Sequence, residues 1–225
     1  MKKSKVSNSK LIIMVLDMPL FVLTFALSNS KHLIMNTIFN DIPERNINNI
    51  FYKTMNIVEL LFGTKDSTFQ FIGISLNEDA PCLYFPNGYE TKKVEIRITS
   101  DCKYNLTKAV YQTSHECVHL LYPNPLGTST YLEEGIATFF SLCYTNRNYG
   151  SIKISDKKYS LASDMAGEVL QSCPSLIKDL RAKEPNTAKI TKDMLLDYFP
   201  ALGETLADAL ATNFQSDLPM RAFSM

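Results

Sequence analysis

Neither sign of charge is in excess in this chain: 23 Lys and Arg residues balance 23 Asp and Glu over 225 positions. Without a basic surplus or a basic stripe, no nucleic acid partner is expected. Long like-charge blocks, low-complexity tracts and internal repeats are also missing, which argues against disordered tails and solenoid architectures. The five cysteines, Cys82, Cys102, Cys117, Cys143 and Cys173, include no CxxC pair, so a cysteine-built zinc site is not expected. Their odd number and wide spacing favour buried thiols in a reducing compartment over a disulfide framework.

Uninterrupted apolar runs of membrane-spanning length are scarce as well. The one candidate, Leu11 to Leu27, follows Lys2, Lys3, Lys5 and Lys10 and is broken by Asp17 and Pro19. A carboxylate in mid-span costs about 2.5–3.5 kcal/mol for membrane insertion. Ala26-Leu27-Ser28 resembles a signal-peptidase site. Three readings stand: a core segment, a signal peptide spanning residues 1–28, or an anchor. The interruptions favour the core segment, and with it a cytoplasmic location and no membrane partner.

What remains is ordinary globular material. An apolar fraction of 45% with 20% charged residues fits a folded chain of one domain, or one and a half. From Pro43 to Phe62, apolar residues recur at spacings of three and four and stop at Gly63, predicting a helix. Strand signals follow in Phe69–Leu76 and Cys82–Phe85, then a turn at Asn87-Gly88. Val94, Ile96 and Ile98 alternate with polar neighbours. A helix is predicted from an Asn105 N-cap to about Leu121, then a Pro-rich loop. A second helix opens on the capping box Thr130–Glu133 and runs to about Tyr144. Its expected buried stripe is Leu132, Ile136, Phe139, Phe140 and Cys143. Three or four more helices fit Tyr159 to Phe214. Strands first and helices later imply an α+β fold. We divide it into residues 1–121, sheet-containing and ending in the motif helix, and residues 122–225, helical.

Histidine is rare, at three per chain, yet two of the three lie four residues apart in His115-Glu116-Cys117-Val118-His119. On a helix both imidazoles fall on one face, one turn apart. That geometry suits a zinc ion with a coordination position left for water. Glu116 is placed to act as general base. Gln112, His115, Glu116 and His119 are expected on a cleft-facing side. Leu106, Val110, Thr113, Cys117 and Leu121 are expected on the core side, which removes Cys117 from the chemistry. A third ligand is needed. His32 is remote in sequence and reads as a structural histidine. Glu133 and Glu134 project about 100° apart on the second helix. Glu134 shares a face with the small residues Ala137, Thr138 and Ser141, which permits close approach to the motif helix. We assign Glu134 to the metal and Glu133 to the helix cap.

The two segments His115–His119 and Tyr131-Leu132-Glu133-Glu134-Gly135-Ile136-Ala137 together resemble the gluzincin metallopeptidases, with Tyr131 where tryptophan is usual. The resemblance covers residues 43–145. It implies a zincin-like fold with a small mixed or antiparallel sheet, an edge strand along the substrate, and an active-site helix. It also implies zinc held by His115, His119 and Glu134, catalysis by Glu116, and a peptide or protein substrate. The family's oxyanion donor lies downstream of the third ligand, which leaves Tyr144, Tyr149, Tyr159 or Tyr198. Thr138 stands where the thermolysin branch carries an aspartate that supports a zinc histidine, so a close relationship to that branch is not expected. The competing reading is a zincin-fold binding or regulatory protein with a structural metal and no peptidase activity.

Overall fold

The computed structural model describes residues 46–125, 127–217 and 219. His32 and the run from Leu11 to Leu27 lie outside them. Among the described residues no helix is long and apolar enough to cross a membrane. Over the described residues the fold is mixed α+β and mostly helical, with seven α-helices and one three-stranded sheet.

Helix α1 spans Ile47–Phe62, capped by the Asn46 side chain accepting from the Asn48 amide. Its apolar residues fall at helical spacing and bury Ile50, Phe51, Met55, Val58 and Phe62. Strands β1 (Gln70–Asn77), β2 (Cys82–Tyr84) and β3 (Lys93–Thr99) follow. Their order is β1-β3-β2, with β1 parallel and β2 antiparallel to β3. The alternation along β3 does what its sequence predicts: Val94, Ile96 and Ile98 are buried and their neighbours are more exposed.

The motif helix α2 spans Leu106–His119, with Asn105 as N-cap accepting from the Lys108 amide. Gln112 does not face a cleft, as its place on the helix suggested. Its amide oxygen accepts from the Thr99 backbone amide at 2.8 Å and the Cys102 thiol at 3.1 Å. It thereby anchors α2 to the end of β3. A buried side-chain amide that meets a strand-end donor is worth more there than in solvent.

Helix α3 (Tyr131–Asn148) packs against both α2 and α4 (Lys157–Ser172). Cys143 departs from the expected stripe and is exposed, while Leu132, Ile136 and Phe140 are buried. Helices α5 (Leu176–Lys183), α6 (Lys192–Tyr198) and α7 (Glu204–Ala211) complete the helical part. The chain then returns beside the start of α3: Tyr131 N donates to Thr212 O and Phe214 N donates to Ser129 O.

Gly135 explains how α4 comes so near. A Cβ at this position would lie 2.3 Å from the Ala162 carbonyl oxygen and 2.9 Å from Ala166 Cβ. The first obstacle is backbone, so relief would require α4 to move. Ala162 and Ala166 share a helix face with Tyr159, so the same contact sets the position of that tyrosine. Gly135→Ala is therefore expected to destabilise the fold by about 1–3 kcal/mol through overpacking. Urea titration checks it, and a loss below about 0.5 kcal/mol, no more than an ordinary surface substitution costs, would contradict this contact.

Candidate metal centre

The C-terminal half of α2 and the first turn of α3 meet face to face and bring three of the predicted residues together. His115 Nε2 and His119 Nε2 lie 3.1 Å apart. Glu134 Oε2 lies 3.2 Å from the first and 3.4 Å from the second. All three groups converge within a nearly equilateral triangle. A tetrahedral ion with bonds of about 2.0–2.2 Å needs ligand-to-ligand separations of roughly 3.3–3.6 Å, close to these edges. Among the described residues this is the group of His, Cys, Asp and Glu side chains whose arrangement could hold a metal.

The hydrogen-bonding state of the triangle points the same way. Glu133 does not serve the helix cap as the capping box suggested. Its Oε1 lies 2.9 Å from His119 Nδ1. Only the other half of the box forms, with the Thr130 hydroxyl accepting from the Glu133 amide at 3.3 Å. An ionised carboxylate can only accept, so His119 Nδ1 carries a proton and Nε2 is the nitrogen that faces the triangle. Glu134 Oε2 is buried without a hydrogen-bond partner. Lone pairs that converge in a buried place repel one another unless a cation or proton lies among them.

Electrostatics agree. Burial works against a charged His119, but Glu134 and then Glu133 override it and hold the imidazole well above its ordinary range. Burial also works against a charged Glu134, and the two imidazoles override it, holding the carboxyl well below its ordinary range. Both shifts say that positive charge is favoured between these groups.

Glu116 is buried and its carboxyl is pushed upward by that burial, with the two imidazoles partly offsetting it. Its charge reaches Cys82 on β2 and Tyr159 on α4. It follows His115 directly on α2, beside the triangle. Cys117 is fully buried on the opposite side of the helix, and burial drives its thiol well above the ordinary range, leaving it unreactive.

The four tyrosines separate clearly. Tyr159 lies against the site, its ring centroid 6.0 Å from that of His115. Burial, followed by Glu134 and Glu116, raises its hydroxyl well above the ordinary range, so it stays a proton donor. Tyr144 stacks on Phe140, Tyr149 packs on Tyr144, and the Tyr198 hydroxyl bonds Asp179. Those three are packing residues away from the triangle. Tyr111 was not anticipated. It sits one turn before His115, with ring centroids 6.4 Å apart, and its hydroxyl faces Ser141 and Thr138 on α3. Its i, i+4 spacing from His115 was the available signal. Thr138 is fully buried on α3. The carboxylate that engages a histidine comes from Glu133 instead.

No family model, no curated protein and no solved structure matches this chain.

Proposed function

We propose that this chain is a zinc-dependent metallopeptidase with a gluzincin-like, zincin-type site. The observation that carries the reading is the triangle of His115 Nε2, His119 Nε2 and Glu134 Oε2, with edges of 3.1–3.4 Å that suit a tetrahedral ion. Glu133 on His119 Nδ1 supplies the outer partner that metal-binding imidazoles require. Bound zinc would lower the pKa of a water molecule and polarise the scissile carbonyl.

The chain's own groups would do the rest. Glu116, buried and with a raised carboxyl, takes a proton from the attacking water and delivers it to the leaving amine. The Tyr159 hydroxyl, kept protonated by burial and by two nearby carboxylates, donates to the developing oxyanion. Among the described residues strand β2 is bonded on one side only, to β3, and its Cys82 feels the Glu116 charge. A peptide extended along that free edge would present its carbonyl to Glu116.

Burial favours a second reading on one count. His115 and Glu134 are each 7% exposed and Glu116 3%, which also suits a structural metal in a zincin-fold binding protein. Digestion of a peptide library with and without chelator separates the two. Cleavage that the chelator abolishes is the expected result; zinc retention without any cleavage would select the binding protein.

Glu116→Gln should retain stoichiometric zinc while hydrolysis falls by at least about 100-fold. His119→Ala should lose the metal, read by elemental analysis of the purified variants. A Glu116→Gln enzyme of normal activity would sink the proposed mechanism. Tyr159→Phe should lower kcat by about 100-fold with little change in KM, as loss of a single oxyanion donor does. A change confined to KM would assign Tyr159 to substrate binding instead. Zinc affinity should fall as pH is lowered, because protons compete for His119, whose imidazole the neighbouring carboxylates hold above its ordinary range; calorimetric titration across pH 5–8 on the order of unit steps checks the sign.

A further inference from the structure

Arg181 has no place in the site just described, yet it is a buried cation with an unusual set of partners. Its guanidinium donates from Nε to Pro185 O, from Nη1 to Phe62 O and Gly63 O, and from Nη2 to Thr64 O and Leu121 O. Those contacts match the five N–H donors of an arginine, and every acceptor is a backbone carbonyl. Burial brings it down to about 10, so it stays charged at neutral pH.

The carbonyls it collects lie at two helix ends. Phe62 O is the last residue of α1, and Leu121 O lies two residues beyond His119, where α2 stops. Helix C-termini carry partial negative charge, so one cation stabilises both. Leu121 O also accepts from the Asp66 amide at 2.8 Å, which closes the loop after α1 onto the same point. Gly63 turns with φ +93°, a conformation that aims its carbonyl at Nη1 and that side-chain-bearing residues rarely adopt. Glu133 is the carboxylate felt most strongly by the guanidinium, and Glu133 holds His119. Arg181 thus reaches His119 through the end of its helix, by its hydrogen bond to the Leu121 carbonyl two residues beyond that ligand.

We propose that Arg181 is a positioning residue for the metal centre, tying the end of the motif helix to α1 and α5. The inference rests on the metal reading above. It deepens that reading by extending the support of the site to a residue 47 positions beyond the third ligand Glu134 in the sequence.

The test is zinc affinity, measured by competition with a chromophoric chelator on the full chain. Arg181→Met should weaken zinc binding by about 10–100-fold, the cost typical of losing an outer partner. Arg181→Lys keeps the charge with fewer donors and should recover part of that loss. Val58→Ala, a core truncation in α1, serves as a control for general destabilisation and should bind zinc as the wild type does. Wild-type zinc stoichiometry is measured alongside: no zinc in the wild type overturns the metal reading and this inference with it. Zinc bound by the wild type with unchanged affinity in Arg181→Met overturns this inference alone. If Arg181→Met does not fold, Arg181→Lys decides: unchanged affinity overturns the proposal. Equal weakening in Val58→Ala also overturns it, because the effect would then follow stability rather than position.

Discussion

The first turns of α3 must satisfy two neighbours at once, and the rest of the molecule is arranged around that requirement. Every residue from Tyr131 to Thr138 is buried. One side of this stretch presents Glu133 and Glu134 to α2, and another presents Gly135 to α4. Two carboxylates at a helix N-terminus are electrostatically natural, since they face the positive end of the helix dipole. Burying both is not. It is tolerable because His119 bridges them, meeting Glu133 with one nitrogen and facing Glu134 with the other. Without that bridge the desolvation of two charges would work against the packing of the whole stretch.

The charge map explains why the site holds its shape. Three carboxylates, of Glu116, Glu133 and Glu134, surround two imidazoles in a place nearly closed to solvent. The Arg181 guanidinium is fully engaged with backbone carbonyls, so its charge acts on Glu133 at a distance rather than by direct pairing. The local excess of carboxylates over imidazoles lies in and around the triangle. A cation placed there would complete a balance that the surrounding protein leaves open, which is the physical basis of the zinc proposal.

Much of this was legible in the sequence, and where it was not, the reason is particular. The α1 and α2 helices, the three strands and the cap of α3 follow from periodicity and capping residues, which are local signals. Gln112 shares a polar helix side with His115 and His119, yet it serves β3, because a strand end happens to need an acceptor there. Glu133 fits a capping box by spacing, but His119 offers a buried nitrogen donor on the adjacent helix, a stronger partner than its own N-cap amide. Cys143 falls on the apolar repeat of α3, yet lies toward its C-terminal end, where that face is exposed.

The sequence by itself determined which residues could share a face: His115 with His119, and Glu134 apart from Glu133. Those relations depend only on the 3.6-residue turn and survive any tertiary arrangement. Only the tertiary structure decided that the two helices meet at that face, that Glu133 belongs to His119, and that Tyr159, of the four downstream tyrosines, lies beside the site. It also decided that a distant arginine closes the end of the motif helix. Each of these pairs residues far apart in the chain, and helical periodicity carries no information about which neighbouring element a face will meet.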